Sequence, residues 1–306
     1  MHSGLPVGVH GVYEWFVLEP SLNRLIAPLL FSYAGDAERE TLVASGLQPD
    51  AVFPAETTHM RFAAAGVRSV AAVPTPIATT TTNRTLTRGA ELVPFDDPAA
   101  GLAAACDALA TSDRVYASVY LSSFDALMHH VGPDHPAADA ALVALLTRVA
   151  EALVRVPRNT LVLVGSDHGM SPISPERSVY VNVAWPGLGR RLRRGADGKP
   201  LAPAGSCRDL FLHVQPGHVD EVVAELSKRL ASVADVFATQ TLLNDGVFGA
   251  ERSEAFLDRL AEVVVLPRPG EAVWWLEPGR FEQRFRGQHG GLSTDEVDIP
   301  LLALVT

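Results

Sequence analysis

Carboxylate and imidazole side chains occur together at two places in this 306-residue sequence, where they could share a metal ion. Asp125 and His129 are four residues apart, a spacing that puts both side chains on one face of a helical turn. Asp167 and His168 directly follow an apolar run, and His289 lies in the glycine-flanked sequence GQHGG. Two carboxylates and three imidazoles suit zinc or another divalent transition ion better than calcium or magnesium. The sequence therefore predicts a divalent-metal centre.

Each of these patterns is a weak signal by itself. Serine, aspartate and glycine are frequent at strand ends because they favour turns, and aspartate can cap a following helix. The tetrapeptide SDHG, which contains Asp167 and His168, therefore also has a purely structural interpretation. The metal hypothesis depends on the patterns occurring together in one chain.

The elements before these residues favour an α/β sheet that delivers them to one edge. The run Leu161 to Val164 has no polar alternation, which predicts a strand covered on both faces. A strand over Arg114 to Leu121 and a long helix from Pro136 to about Val156 precede it, and such a crossover unit is right-handed and parallel. Ligands in open α/β sheets bind beyond the carboxyl ends of the strands. Asp125 and Asp167 both follow such ends.

The rest of the chain divides into regions that differ in the length and spacing of their apolar runs. The first hundred residues read as loops and short helices with one strand candidate, Arg68 to Pro74, and the threonine-rich stretch from Ala78 to Thr85 reads as loop. Ser171 to Arg286 contains short β-like runs around one amphipathic helix, His218 to Leu230. We predict an α/β core formed by residues 1–170 and 287–306, with a smaller inserted α+β subdomain over residues 171–286.

Composition excludes several classes of protein. The formal net charge is -10 and the largest basic cluster is Arg190 to Arg194, which argues against a nucleic-acid polymer as partner. Two cysteines cannot form a disulfide framework or a cysteine-rich zinc site. No stretch of eighteen uncharged apolar residues predicts a membrane span, and the first residues lack the pattern of a signal peptide, so a cytoplasmic location is expected.

Three motifs, in this order, resemble the alkaline phosphatase superfamily: F-D-x-x-x-H-x-x-G-P from Phe124, S-D-H-G-M from Ser166 and G-x-H-G-G from Gly287. More narrowly, the chain resembles the nucleotide pyrophosphatase/phosphodiesterase family, because HGVYEW, AAAGVRSVAAVP and RFRGQHGGLSTDEVDIPLL are similar to family segments in the same order. The resemblance covers nearly the whole chain. It implies a three-layer αβα core with a mostly parallel sheet.

The resemblance also implies a two-metal centre, with zinc as the preferred ion. By this resemblance Asp125, His129 and His289 hold the first ion, while Asp167 and His168 contribute to the second. Two further histidines are not carried over as ligands. His130 lies one position past the motif histidine, and His135 lies directly before a helix. We interpret both as surface or supporting groups.

The chain departs from the family pattern at two places. The family uses an aspartate at the end of its first strand and a threonine or serine nucleophile, and the matched segments place both before Met1. We therefore assign no catalytic residue within this chain and expect it to be truncated at its N-terminus; the threonines after the strand candidate are not substitutes. Many members also have an asparagine shortly after the HG sequence, where this chain has Tyr13, Glu14 and Trp15. Substrate handling is therefore expected to differ.

The resemblance implies a metal-dependent phosphoric ester hydrolase that acts on a small phosphorylated substrate. Its activated threonine or serine hydroxyl would attack phosphorus, and water would then release the phosphoryl enzyme. Two alternatives remain: a phosphomonoesterase or phosphonate hydrolase of the same superfamily, and a catalytically inactive, truncated metal-binding protein. Neither Cys106 nor Cys207 lies in the C-x-P-x-R setting of a sulfatase nucleophile.

Overall fold

The computed structural model describes residues 3–111 and 114–306. The strands are β1 Val17–Glu19, β2 Arg24–Ala27, β3 Ser32–Tyr33, β4 Arg68–Pro74, β5 Glu91–Phe95, β6 Val115–Val119, β7 Leu161–Gly165, β8 Ser171–Pro172, β9 Val179–Tyr180, β10 Ala204–Gly205, β11 Leu210–Leu212, β12 Ala234–Ala238, β13 Val263–Pro267, β14 Val273–Trp274, β15 Gly287–Gln288 and β16 Leu301–Val305. The helices are α1 Val7–His10, α2 Pro49–Val52, α3 Thr58–Ala64, α4 Thr75–Ala78, α5 Thr81–Leu86, α6 Pro98–Leu109, α7 Ser123–Val131, α8 Pro136–Leu153, α9 Val181–Ala184, α10 Val219–Arg229, α11 Thr239–Asn244, α12 Glu254–Arg259 and α13 Thr294–Val297.

These elements form two compact units. Unit 1 contains Pro54–Gly169, Asp298–Thr306 and a short N-terminal stretch that ends at Gly4. Unit 2 contains Leu5–Phe53 and Met170–Val297. This grouping differs from the predicted division, in which residues 1–170 belonged to the core. Residues 5–53 lie in unit 2 because Phe16 bridges to Gly205 and because the buried guanidinium of Arg259 donates to three carbonyls of this segment.

Unit 1 is built on a parallel sheet of order β5-β4-β6, with α6 packed against all three strands. The strand predicted over Arg68 to Pro74 is confirmed as β4, the central strand, and its residues Val70 to Val73 are buried. Helix α8 follows α7 and packs against α6 and α7. The sheet thus carries α7, the helix of Asp125 and His129, directly after the end of β6.

The prediction that Leu161 to Val164 is covered on both faces is wrong. Strand β7 pairs antiparallel with β16, and among the described residues it has no second neighbour in the sheet. Leu161 and Leu163 are 61% and 59% exposed, and every residue of β16 is exposed or half-buried. Strands β6 and β7 do not pair with each other, and each keeps an open edge within the described chain. The apolar run is therefore exposed or half-buried among the described residues.

Two expectations for the first hundred residues are also wrong. The threonine-rich stretch is helical, forming the end of α4 and most of α5, because the Thr80 hydroxyl accepts from the backbone N–H of Asn83 and caps α5. Strands β1, β2 and β3 form an antiparallel meander that the sequence analysis missed. Strand β5 was missed as well. These strands have at most five residues each, too few to show a clear period.

Unit 2 contains the larger hydrophobic core. Its main sheet is antiparallel with the order β10-β11-β13-β12, and α10 packs on β12 and β13 through its buried face. The predicted amphipathic helix over His218 to Leu230 is confirmed as α10. Among the described residues, the strands within 171–286 do not pair with the parallel sheet of unit 1. Unit 2 is therefore an α+β unit with its own sheet and core.

Across the described part of the chain, no helix combines the length and the apolarity that crossing a bilayer requires. The cytoplasmic location stays a prediction.

Candidate metal centre

Helix α7 brings Asp125 and His129 together. The helix places the two side chains one turn apart on the same face, and Asp125 Oδ1 lies 3.5 Å from His129 Nε2. Two atoms bound to one zinc ion at about 2.1 Å with tetrahedral geometry lie about 3.4 Å apart, so this separation fits shared coordination. Both side chains are half-buried, which keeps them ordered but accessible. The donor set and its geometry fit a divalent ion.

Asp167 and His168 follow the end of β7, also in unit 1. His168 Nδ1 lies 2.8 Å from the carbonyl oxygen of Gly169. Because a carbonyl can only accept, Nδ1 carries the proton in the neutral ring and Nε2 carries the lone pair, the tautomer that a metal ligand needs. Nε2 lies 3.8 Å from Asp167 Oδ1. The second pair therefore also presents a carboxylate and an imidazole nitrogen on the same side.

Tyr120 links these two pairs within unit 1. It directly follows β6, and its pKa is raised by burial and by the negative charges of Asp167 and Asp125. Both carboxylates therefore lie near its hydroxyl, although they follow different strands. Sequence analysis missed Tyr120 because no motif spacing includes it; its position just after a strand that leads into a ligand helix was the available signal.

His289 belongs to unit 2 and lies in the loop after β15. Its backbone carbonyl accepts a hydrogen bond of 3.4 Å from the Ser206 hydroxyl. The following residue, Gly290, has φ +112°, and a Cβ there would lie 2.5 Å from a carboxylate oxygen of Glu14. The positive φ therefore favours glycine at this position, and any larger residue would also have to displace the Glu14 carboxylate. The side chain of His289 is half-buried.

A buried ion pair holds the loop after His289. Arg208 Nε and Nη2 each donate a hydrogen bond of 2.8 Å to Glu296, and both side chains are almost completely buried. Glu296 also accepts from the backbone N–H of Gly291 at 3.0 Å and from the Ser293 hydroxyl at 2.6 Å. The carboxylate thus fixes the backbone two residues from His289. Sequence analysis missed this pair, whose members are 88 positions apart.

Two further carboxyl groups lie beside the same loop. Burial raises the pKa of Glu14 to about 7, with a further contribution from the charge of Glu296, while a hydrogen bond from the Trp15 backbone N–H opposes the shift. Burial and the charge of Glu14 raise the pKa of Asp209 well above its usual range. Asp209 accepts from the Ser206 backbone N–H and hydroxyl.

The structure thus places the five predicted ligands in three local groups. Asp125 pairs with His129, Asp167 pairs with His168, and His289 stands in a separately anchored loop of unit 2. A common metal centre for them stays a prediction. The two histidines not assigned as ligands have different environments: His130 is exposed on α7, whereas His135 Nδ1 accepts from the Ala137 backbone N–H and caps α8.

Solved structures with the same fold come from two kinds of hydrolase. Murine ectonucleotide pyrophosphatase/phosphodiesterase 5, as an inactive variant in complex with AMP, matches 99% of this chain and 74% of its own at 18% identity and a TM-score of 0.64. Phosphonoacetate hydrolase from Sinorhizobium meliloti, in complex with phosphonoformate, matches 98% and 76% at 17% identity and a TM-score of 0.63. The chain therefore has the mixed α/β fold of the alkaline phosphatase superfamily.

Sequence comparison narrows this class. Residues 1–291 match the model of the type I phosphodiesterase/nucleotide pyrophosphatase family, and the chain belongs to that family. No curated relative matches the chain in sequence. The family consists of metal-dependent hydrolases of phosphoric esters, and the activities in its description are phosphodiester and nucleotide pyrophosphate hydrolysis.

Proposed function

We propose that this chain is the metal-binding part of a phosphodiesterase that uses two divalent ions, preferably zinc, and a hydroxyl nucleophile supplied by a segment outside the 306 residues. The single observation that carries the proposal is the Asp125–His129 pair, whose 3.5 Å separation fits one shared ion in a chain of this family. His289 would complete that first site. Asp167 and His168 would contribute to the second.

Each residue has a defined task in this proposal. When bound, the ions supply Lewis-acid polarisation of a phosphoryl oxygen and lower the pKa of the attacking hydroxyl. Asp125 and Asp167 offset the positive charge of the centre, and His168 is held in the correct tautomer by the Gly169 carbonyl. The Arg208–Glu296 ion pair orients the loop that carries His289.

The open strand edges in unit 1 support a contribution from outside the chain. Strands β6 and β7 are joined by α7 and α8, and each has an edge without a partner among the described residues. A single added strand could pair with both edges and cover part of the exposed apolar surface of β7. Its carboxyl end would then lie beside Asp125 and Asp167. That is the place where the family's aspartate and nucleophile are expected.

A phosphonate hydrolase is the second candidate, since one structural neighbour is solved with phosphonoformate. The presence of Glu14 supports phosphonate hydrolysis as the second candidate, because this chain has an acidic side chain where many nucleotide-cleaving members have a neutral amide. A carboxyl group with a pKa near 7 can donate a hydrogen bond when protonated and repels an anionic substrate when ionised. The choice between an ester and a phosphonate is therefore sensitive to this residue.

Metal content tests the ligand assignment without any need for activity. The purified chain should bind about one equivalent of zinc, because three protein ligands with an open position make a viable site. His129→Ala and His289→Ala should each lower zinc affinity by about 10-fold or more, since loss of one of three ligands leaves a weak site. His130→Ala, one position away on α7, is the matched control and should bind like the wild type. Unchanged affinity in His289→Ala would remove His289 from the centre.

Activity tests the outside nucleophile. We expect the 306-residue chain to be nearly inactive on a nitrophenyl phosphodiester, a nitrophenyl monoester and phosphonoacetate, because removal of an attacking group costs several orders of magnitude in rate. Extension of the chain by the codons upstream of Met1 should restore the second metal ion and turnover together. Turnover by the chain alone that depends on His168 would contradict the proposal and point to an internal threonine or serine.

A further inference from the structure

Unit 2 contains a cavity of about 160 Å³ beside the His289 loop. Gly290 and Leu292 of that loop form part of its wall, and Asp209 and Tyr13 contribute the polar groups. Val247 and Leu292 line the cavity and are 42% and 55% exposed, so the cavity reaches the surface on their side. The remaining wall is apolar: Val7, Phe211, Leu242, Phe248, Val264 and Leu266.

The cavity has a polar end that is positioned by other contacts. Among the described residues, the Asp209 carboxyl accepts its hydrogen bonds at Oδ1 alone, from the Ser206 backbone N–H at 3.1 Å and from the Ser206 hydroxyl at 2.8 Å. Oδ2 therefore remains available to a bound molecule. The Tyr13 hydroxyl donates to the Arg259 carbonyl at 3.1 Å, which fixes its ring in the wall. Ring contacts hold the aromatic wall rigid: Tyr13 packs on Phe211 and Phe256, and Phe248 packs on both of these rings.

We propose that this cavity is a binding site for a small uncharged aromatic alcohol of about the size of phenol, independent of the hydrolase activity proposed above. The volume matches such a ligand, because an apolar cavity of about 150 Å³ is known to accommodate benzene in another protein. The phenyl ring would lie against Phe211 and Phe248, and its hydroxyl would bond to Asp209 Oδ2. An anionic ligand is disfavoured because it would lose its hydration in a largely apolar cavity whose polar end is the Asp209 carboxyl and offers no positive charge.

The proposed site has a direct structural connection to the metal-ligand loop. Asp209 lies near Gly290, and Ser206 bonds to both the Asp209 carboxyl and the His289 carbonyl. A ligand that contacts Asp209, Gly290 and Leu292 therefore touches the residues that position His289. Occupancy should be detectable at these loop residues.

The test is binding of phenol, benzene and benzoate to the full chain, measured by saturation-transfer NMR and by chemical-shift changes in labelled protein. Phenol should bind with a dissociation constant on the order of 1 mM, as expected for a ligand of about seven non-hydrogen atoms. Benzene should bind several-fold more weakly, because it cannot donate a hydrogen bond to Asp209 Oδ2. Benzoate should not bind. The shift changes should include Gly290 and Leu292.

Cavity-filling variants locate the binding. Leu242→Phe fills the interior and Val247→Phe narrows the exposed side, so each should weaken phenol binding at least 10-fold. Val183→Phe makes the same change at an exposed valine of α9 and is the control that should bind normally. If Leu242→Phe fails to fold, Val247→Phe still tests the location of binding, because Val247 is partly exposed and its replacement should not prevent folding. The proposal is overturned if phenol shows no saturable binding, or if both filled variants bind it as the wild type does.

Discussion

Strands β7 and β13 have almost the same apolar character but very different surroundings. Strand β13, with the sequence VVVLP, lies inside the sheet of unit 2, and its three valines are completely buried. Strand β7, with the sequence LVLVG, lies in unit 1 with one neighbour, and its two leucines are mostly exposed. Burial of an apolar strand therefore depends on the neighbours that the fold supplies and is not a property of its own sequence.

The same contrast extends to the two candidate ligand regions. The His289 loop of unit 2 is tied to a buried ion pair, a serine and a tightly packed glycine. The Asp167–His168 pair of unit 1 follows a strand whose face and edge are open. Unit 2 thus contains contacts that hold the loop of its candidate ligand, whereas the strand before the Asp167–His168 pair is exposed or half-buried among the described residues. Local stability should differ between the two units accordingly.

The ion pairs of the two units provide the first and largest test of this difference. Arg208–Glu296 in unit 2 and Arg155–Asp107 in unit 1 have N–O distances of 2.8 Å and 2.7 Å, but only the first pair is buried. Glu296→Ala should lower the free energy of unfolding by about 3–5 kcal/mol, because it leaves a buried guanidinium without its counter-charge. Asp107→Ala should cost less than about 1 kcal/mol, as expected for an exposed pair.

Urea denaturation can measure the two effects separately. All four tryptophans lie in unit 2, so tryptophan fluorescence reports on that unit, whereas far-ultraviolet circular dichroism reports on the whole chain. Glu296→Ala should shift the fluorescence transition strongly. Equal, small effects of the two substitutions would show that the buried pair does not anchor unit 2.

Leucine truncation in the two sheets gives a smaller effect. Leu212 in β11 is fully buried, so Leu212→Ala should cost about 2–4 kcal/mol through lost burial and a residual cavity. Leu163→Ala in β7 should change stability by less than about 1 kcal/mol, because that side chain is 59% exposed. Tryptophan fluorescence would measure the unfolding of Leu212→Ala, and circular dichroism would measure the unfolding of Leu163→Ala. A large cost at Leu163 would mean that β7 is covered in solution.

The sequence predicted those features that a local pattern determines. The bounds of β4 agree with the prediction, α10 was expected from its amphipathic pattern, and the four-residue spacing of Asp125 and His129 does place them on one helical face. In each case the interacting residues are only a few positions apart in the sequence, or the element is long enough to show a clear hydrophobic pattern. The fold class followed from the family motifs, which the structural neighbours bear out.

Features built from very short strands or from distant partners could not be predicted. The hairpin of β1 and β2 has strands of three and four residues, and the clearest signal was its turn, where Asn23 adopts φ +46°. The Arg208–Glu296 pair, and the effect of the Asp125 and Asp167 charges on the pKa of Tyr120, depend on chain segments brought together by the fold. The exposure of β7 was missed because a run of apolar residues indicates a strand but does not show which other elements pack against it.

The last and smallest expected effect is on the pH dependence of the stability of unit 2, to which two of its titratable side chains contribute in opposite directions. His213 is buried with neither ring nitrogen hydrogen-bonded within the described residues, and burial together with the charge of Arg193 lowers its pKa to about 3. The unfolded chain, with a histidine pKa of about 6.5, binds more protons between pH 3 and 6.5. This group therefore stabilises the fold less as pH falls below 6.5, by about 2 kcal/mol from pH 7 to pH 5.

Glu14 acts in the opposite direction over the same interval. Its pKa is raised to about 7, so the folded state binds more protons between pH 4.5 and 7, and stability is lost as pH rises through that range, by about 2 kcal/mol from pH 5 to pH 7. The contributions of His213 and Glu14 are opposite in sign and similar in size. His213→Leu should therefore make unit 2 about 2 kcal/mol more stable at pH 5 than at pH 7, and Glu14→Gln should make it less stable at pH 5 by a similar amount. Urea denaturation followed by tryptophan fluorescence at both pH values measures each difference. Parallel pH profiles in the wild type and both variants would show that neither group is buried in solution as the structure describes, because a solvated histidine or glutamate has nearly the same pKa in the folded and unfolded chain.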